Sequence, residues 1–563
     1  HDLIQKQTGV VHGIAVTPLI VDAGRTLRRP LALLIVATVA VLAIAVINVS
    51  SLLLARGIRR QPELAVRSAL GASRWEVMRP VFAEGAVIAL LGWIAGLGIA
   101  AAAIKGIAML GSARIAQLSY VHIDLRTVVV TLATALLAAV AGTAAPAWRA
   151  ARAFPADVLR GGRSAGSRHQ HRTLAALVVI EGALAVTLLI SAGLVMKGFV
   201  RLTRADPGLQ ASGLLTMRVR VAPNDFKPDR AAVEFLPPAL QAVSAVPGVV
   251  AAGAISQLMY AEWGWNMWVR YEGQPELPPI ERPLVETRNV TPGFFAATGQ
   301  RLLAGRLLDS RDMQTGDSVQ RVVVNQALAL RDFPNTDAIG RRIYNGDRWI
   351  EIVGVVSDIR NFGPIADPRP EAYWTFAQRF PGAAGYNLVI RTLNDDPMVV
   401  AAAVERALRG VYPGVAISRV QPMTTLMASS VGWPRFVFAL FATLACVALI
   451  LALAGLFGIL NYTVEQQQRE YALRSALGAP PSTVRALIFG RAGRVIGVSL
   501  GAGLVLAWMV TRTMAAMLYG VEPLDVPVWA TAVLAMATAG VAAAVGPAWR
   551  ASRVAPMTVL RAE

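Results

Sequence analysis

Apolar positions along this chain are gathered into seven long runs: residues 31–55, 85–105, 127–147, 174–196, 434–460, 493–512 and 527–547. A helix crossing a bilayer takes roughly 20 apolar residues, and each run reaches or exceeds that length. Between Leu31 and Leu54 only Thr38, Asn48, Ser50 and Ser51 interrupt the hydrophobic pattern. One such run is compatible with a buried helix of a soluble protein, but seven together predict a polytopic α-helical membrane protein.

Between the fourth and fifth runs the pattern changes character. Residues 197–433 are Pro-rich, carry acidic residues and tryptophans, and alternate in the manner of strands. Leu214–Val221 reads as a strand, about 229–245 as a helix and Val249–Ser256 as a second strand. The same strand–helix–strand order returns with Asn387–Arg391, about 397–410 and Val415–Val420, while Arg321–Asn325 and Trp349–Val356 are the best strands between. Two βαβ-type units bracketing a β-rich middle predict an α+β domain of two lobes.

Charge settles the orientation. The chain has 54 Lys and Arg against 35 Asp and Glu, a net charge of +19, with a mean hydropathy of +0.51. Arginines crowd four segments: 56–84 (Arg56, Arg59, Arg60, Arg67, Arg74, Arg79), 148–173, 461–492 and the C-terminal tail, whereas 513–526 contains no Lys or Arg. If each run crosses once, all four segments fall on one side, which is the cytoplasm by the positive-inside bias. The basic charge is therefore topogenic, and nucleic-acid binding loses its support. Residues 1–30 and 197–433 fall outside the cytoplasm. An external N-terminus beginning at His1, with no signal before it, predicts an upstream span and domain. The single Cys446 excludes an intrachain disulfide, and five His residues make a His-based metal or catalytic site a poor expectation.

The chain also repeats itself in its polar loops. Glu63-Leu-Ala-Val-Arg67-Ser-Ala-Leu-Gly71-Ala72 recurs as Glu470-Tyr-Ala-Leu-Arg474-Ser-Ala-Leu-Gly478-Ala479. Pro146-Ala-Trp-Arg-Ala-Ala-Arg152 recurs as Pro547-Ala-Trp-Arg-Ala-Ser-Arg553, each followed by Pro and Val-Leu-Arg. The unit is span, Arg-rich loop, span, short loop, span, basic tail. Its two copies share one orientation and are expected to pair as pseudo-symmetric halves. The organisation expected is thus 1–30 as the end of an upstream extracytoplasmic domain and 31–160 as the first unit. Residues 161–196 form a linker with an extra span, 197–433 the external domain and 434–563 the second unit.

Several chemistries are missing. No Gly-x-x-x-x-Gly-Lys-[Ser/Thr] phosphate loop occurs in the 563 residues, so no ATPase activity, cofactor or enzyme function is expected of this chain. Only Glu181 lies well inside a span, where it is expected to snorkel or to pair with Arg172. Trp263, Trp265 and Trp268 around Gly264 are expected to pack a loop onto the external domain. Contact with headgroups or an apolar substrate is the functional alternative.

The repeated Glu-x-x-x-Arg-x-Ala-Leu-Gly-Ala loops resemble the permease domain of the MacB/FtsX superfamily of ABC transporters. The external domain, with Asn289-Val-Thr-Pro-Gly-Phe-Phe295, Gly305-Arg306 and Val322-Val-Val-Asn-Gln326, resembles the MacB periplasmic core domain. The duplication is most similar to the double-unit permeases first noted in acidobacteria, in which a span and a periplasmic domain precede each three-span unit. The resemblance implies a bacterial inner-membrane permease with residues 197–433 in the periplasm. Its implied partners are the bilayer, a separate cytoplasmic ABC ATPase dimer, and an adaptor or substrate on the periplasmic side. It further implies that Glu63, Arg67, Ala69, Leu70 and Gly71, and again Glu470, Arg474, Ala476, Leu477 and Gly478, form coupling helices that dock on the ATPase. Glu four residues before Arg supplies an i,i+4 pair, and the glycines suit a helix end. An ATP-independent scaffold or sensor, and an ion-coupled transporter depending on Glu181, are the alternative readings.

Overall fold

The computed structural model describes residues 19–59, 70–111, 122–151 and 165–553, apart from 223–225, 227–229, 276, 279–280, 314–319, 335, 345–347, 365, 379–384, 478 and 516–517. The chain divides into a unit of residues 202–432 and a second unit made from the helical segments on either side of it. Four long helices come first: α1 (Leu19–Arg59), α2 (Arg74–Gly111), α3 (Leu125–Ala151) and α4 (Ala165–Arg204). α1 starts at Leu19, inside the segment expected to close an upstream domain, and residues 1–18 lie outside the described residues. Ser73 opens α2 with a reciprocal cap: Glu76 N donates to Ser73 Oγ at 3.4 Å, and Ser73 N donates to the Glu76 carboxylate at 2.7 Å. Asp124 opens α3 by accepting from Thr127 N at 2.8 Å. Both satisfy amides that a helix start leaves without partners.

The middle unit is built of β1 (Leu214–Arg220), α5 (Ala231–Ser244), β2 (Val249–Ile255), β3 (Trp265–Trp268), β4 (Arg270–Tyr271), β5 (Leu284–Val290), α6 (Gly293–Thr298), β6 (Leu302–Gly305), β7 (Arg321–Asn325), α7 (Gln326–Asp332), β8 (Arg342–Tyr344), β9 (Trp349–Val356), β10 (Glu371–Thr375), β11 (Gly385–Thr392), α8 (Ala401–Val411), β12 (Ala416–Pro422) and α9 (Met423–Ser430). All strands join one mixed sheet in the order β12-β1-β11-β2-β5-β10-β7-β9-β8-β4, with β3 on β5 and β6 on β9. The two strand–helix–strand units do not stand at either end of the domain as their sequence positions suggested. They interleave: β11 lies between β1 and β2, antiparallel to both, and β12 pairs with β1. This is the split βαβ arrangement, with residues 256–384 inserted between its second and third strands. α5 and α8 cover it, burying Phe235, Leu236, Val404 and Leu408. The second lobe is the insertion itself, with parallel β7–β9 and β5–β10 pairs and a core around Ile352 and Trp374.

The short motifs of the external domain turn out to be its joints. Asn325 Oδ1 caps α7 through Leu328 N at 3.0 Å and accepts Glu371 N at 2.8 Å, while its Nδ2 donates to Arg369 O at 2.8 Å. One side chain thus ends β7, begins a helix and fixes β10. Gly293 lets the turn after β5 lie against β2, because a Cβ there would meet Ala252 O at 2.1 Å. Behind these joints sits a buried ion pair. Arg288 Nε donates to Glu371, Arg288 Nη1 donates to Gln257 O at 2.7 Å, and Asn361 Nδ2 and Tyr373 Oη donate to the Glu371 carboxylate at 2.8 Å and 2.5 Å. The tryptophans depart from expectation. Trp263, Trp265 and Trp268 are 77%, 60% and 51% exposed, because β3 is a four-residue strand at the side of the sheet and only Met267 turns inward.

The chain closes with α10 (Gly432–Gln466), α11 (Gln468–Ala476), α12 (Pro481–Met514) and α13 (Val526–Ser552). Among the described residues seven helices are long and apolar enough to span a membrane, and they contain all seven predicted runs. α4 is the most enclosed of them. Ala185, Val186, Ile190 and Leu194 are wholly buried in a cluster shared with α1, α10, α12 and α13. Small residues permit this: a Cβ on Gly503 would meet Val186 at 2.8 Å, and one on Gly182 would meet Ser499 at 2.6 Å. At its far end Lys197 Nζ donates to Asp525 Oδ2 at 2.5 Å, and Asp525 also caps α13 through Val528 N at 3.3 Å. The repeat is visible here, since Asp525 stands where the first unit has Asp124. Trp148 and Trp549, from the two Pro-Ala-Trp motifs, are 53% and 51% exposed at matching positions. Glu181 neither snorkels nor meets Arg172. It is fully buried and makes no hydrogen bond or ion pair, because α4 runs inside the bundle rather than along its rim.

Two outcomes follow from these contacts. Glu371→Ala strands Arg288 in the core and should cost about 3–5 kcal/mol, read as a lower denaturant midpoint by Trp fluorescence. The bond from Lys197 holds Asp525 below the usual carboxylate range. That clasp contributes fully above the ordinary titration of an aspartate and is lost as pH falls through the lowered value. Lys197→Met should therefore flatten the acid limb of thermal stability, read as melting temperature against pH.

Candidate functional site

The elbow between α10 and α12 carries the second of the two repeated loops. α10 ends at Gln466 and α11 begins two residues later, the helix being interrupted at Gln467 (φ −104°, ψ 15°). α11 has two faces. Its inner face is Tyr471 and Ala472, both essentially inaccessible, with Tyr471 packed among Val464, Val484, Ile488, Ala548 and Ala551. The helix is pinned by polar contacts as well. Arg491 Nη1 on α12 donates to Gln467 Oε1 at 2.5 Å and to Tyr471 Oη at 3.2 Å, and Tyr471 Oη donates to Gln467 Oε1 at 3.0 Å. Burial raises the Tyr471 phenol above its ordinary value, with Arg491 opposing that rise, so the hydroxyl stays protonated and available as a donor.

The outer face carries Glu470, Leu473, Arg474, Ala476 and Leu477. Arg474 Nη2 donates to Glu470 Oε1 at 2.5 Å, the i,i+4 pair that the sequence spacing suggested. Both partners are about half exposed, and such a pair contributes only about 0.3–0.5 kcal/mol; it sets the shape of the face more than its stability. Leu473 and Leu477 are 54% and 79% exposed. Gly478 lies outside the described residues.

In the first repeat Glu63, Arg67 and Ala69 lie outside the described residues, while Leu70 and Gly71 are described. Leu70 is 83% exposed, matching Leu477 at the same repeat position, and Gly71 has φ +92°. That left-handed conformation, which glycine adopts without strain, turns the chain from the loop into the Ser73 cap of α2. Glu84 on α2 accepts from Arg56 on α1 at 2.7 Å. Glu84 holds the repeat position of Arg491; in the first copy this side chain ties α2 to α1, and in the second it ties α12 to the elbow at Gln467 and Tyr471. The anchoring set Gln467, Tyr471 and Arg491 was missed in the sequence. Its only signal was a Tyr at 471 where the first copy has Leu64, together with an Arg twenty residues on.

No cluster of potential metal ligands forms among the described residues. A surface cavity of about 180 Å³ in the middle unit is lined by Tyr260, Glu262, Trp263, Asn361, Phe362 and Ser430. Glu262 in its wall accepts from Arg218 at 2.5 Å and from Asn387 at 2.9 Å.

Comparison with known proteins places these parts. The FtsX-like permease C-terminal family matches residues 35–155 and again 442–556. The MacB-like periplasmic core domain matches residues 173–410. The macrolide export ATP-binding/permease protein MacB of Agrobacterium fabrum is 26% identical over 222 residues, covering 38% of this chain and 34% of that protein. The protein of the same name from Chromobacterium violaceum is 26% identical over 278 residues, covering 48% and 42%. The chain thus spans less than half the length of these relatives. The crystal structure of the periplasmic region of MacB from Actinobacillus actinomycetemcomitans aligns with 38% of this chain and 90% of its own, at 14% identity and a TM-score of 0.27. With an FtsX-like permease unit on each side of a MacB-like periplasmic core domain, this multi-pass inner-membrane chain belongs to the MacB/FtsX type of ABC transporter permeases.

Proposed function

We propose that the chain is the permease half of an ABC system and transmits ATP-driven motion from a separate cytoplasmic ATPase to its periplasmic domain, for export or efflux. The observation that carries this reading is the matched pair of exposed leucines, Leu70 and Leu477, at the turn of each repeated elbow on the Arg-rich side. An apolar tip set among charges, offered twice on two like units, suits a partner that presents two like grooves, as an ATPase dimer does. Glu63, Arg67 and Ala69 would complete the first elbow as Glu470, Arg474 and Ala476 complete the second. Motion of α11 would pass to α12 through Arg491 and to the bundle through Tyr471. The MacB relatives join ATP binding and permease in their names, which supports an ATP-driven permease here.

Two measurements test the proposal. Full-length protein in nanodiscs, mixed with ABC ATPase subunits of its host, should raise their ATP hydrolysis. Leu70→Asp/Leu477→Asp and Arg67→Glu/Arg474→Glu should each weaken that stimulation at least about tenfold, equivalent to about 1.4 kcal/mol of docking energy. Absence of stimulation by every candidate would instead favour an ATP-independent scaffold. Arg491→Met removes two charge-assisted bonds worth about 1.5–3 kcal/mol each at most. Amide exchange across 468–476 should then accelerate about tenfold or more, with the outer face chemically intact.

A further inference from the structure

Glu181 is the one carboxylate deep within the spans, and the packing around it is specific. At its level α4 meets Asn48 of α1 and Gly455 of α10, while the adjacent Gly182 meets Ser499 of α12 and Met536 of α13. The Asn48 amide is oriented, because its Nδ2 donates to Leu451 O on α10 at 3.0 Å. A Cβ on Gly455 would lie 2.1 Å from Glu181 Oε2 and 2.9 Å from Asn48 Oδ1. Both oxygens therefore converge over the bare Cα of Gly455, in the space a side chain would fill. Neither oxygen of Glu181 has a hydrogen-bond partner, and its side chain is inaccessible.

Two acceptors facing each other across a buried gap lack one thing, a donor. An ionised carboxylate there would be uncompensated at membrane depth and would also face the negative end of an amide dipole. A hard metal cation takes six or so oxygen ligands, and only two converge here. We propose that Glu181 is a proton-binding site in the membrane unit, carried as the carboxylic acid whose O–H donates to Asn48 Oδ1 and so joins α4 to α1 across Gly455.

The surroundings fit a proton that exchanges. A cavity of about 200 Å³ begins at Asn48 and Gly455 and is lined further on by Ser51, Leu174 and Tyr462. Those three residues lie toward the Arg-rich ends of α1, α4 and α10, so the route leads to the cytoplasmic side. No charged group bonds to Glu181 from any neighbouring element. The nearest along each helix are Arg172 and Lys197 on α4, Arg56 on α1, Glu465 with the phenol of Tyr462 on α10, Arg491 and Arg494 on α12, and Arg550 on α13. Lys197, Arg56 and Arg491 are engaged with Asp525, Glu84 and Gln467.

The test uses full-length protein in nanodiscs and infrared spectroscopy of the protonated carboxyl C=O stretch at neutral pH. The expected result is an acid carbonyl band that shifts on deuteration, disappears in Glu181→Gln and is lost on alkaline titration. Gln at this position still offers a donor to Asn48, so that variant keeps the fold. Asn48→Leu removes the acceptor and should move the band to the higher frequency of a free acid. The proposal is overturned if Glu181→Gln leaves the acid carbonyl region unchanged. It is equally overturned if the band appears only when Na⁺ and K⁺ are withdrawn at constant pH, which would assign the site to a metal cation.

Discussion

The membrane unit depends on keeping one helix, α4, away from lipid. A transmembrane helix gains nothing from burial against its neighbours by the ordinary hydrophobic route, since lipid is as apolar as they are. What holds α4 is close packing: Gly182, Gly193 and Gly503 allow contacts that any side chain would prevent. Thr187 adds a hydroxyl shared between Ala183 O at 2.8 Å and Gly503 O at 3.3 Å. Because α4 touches α1 from one repeat and α10, α12 and α13 from the other, the span that belongs to neither repeat is the element both are assembled upon.

The middle unit answers a different constraint, since it has no disulfide to close it. Its two lobes share one sheet, and a single apolar cluster runs across their junction, from Leu214, Ile255 and Val389 to Val323, Val356 and Tyr373. Within the second lobe Arg288, Asn361 and Tyr373 all donate to the buried Glu371 carboxylate, so losing that carboxylate leaves Arg288 uncompensated. Such a set adds little net stability over an apolar equivalent but penalises every wrong register of β5 against β10, because a one-residue slip turns Glu371 and Arg288 to the opposite face.

Much of this was legible from pattern. The seven spans, the strands at 214–221, 249–256, 321–325 and 349–356, and the helices at about 229–245 and 397–410 all appear close to where periodicity put them. Pairing was not legible: nothing local in β11 says that it enters between β1 and β2, since that is decided by long-range burial of Phe235 and Val404 on one face. Glu181 was misread for a related reason. Snorkelling is what an isolated helix would do, and only the packing of four other helices removes that option. The exposure of Trp263 and Trp265 was likewise unreadable, because aromatic composition cannot distinguish a strand with one face covered from one with both covered. At the candidate elbow the Glu470–Arg474 pair followed from spacing, whereas the tie to Arg491 joins elements far apart in sequence that no local pattern brings together.

The adjacency of β1 and β12 has a mechanical meaning. Leu215 stands opposite Pro422, so the chain enters and leaves the periplasmic domain side by side, at roughly the 5 Å spacing of neighbouring strands. Force applied between those two ends would load the β1–β12 hydrogen bonds one after another, as a zipper opens, rather than all together in shear. The ladder is already irregular between Thr216 and Arg218, and Arg419 opposite holds a left-handed φ of +53°. Met423 and Leu426 of α9, next along the chain from Pro422, are buried in the core, so opening the outermost pair would also have to expose them.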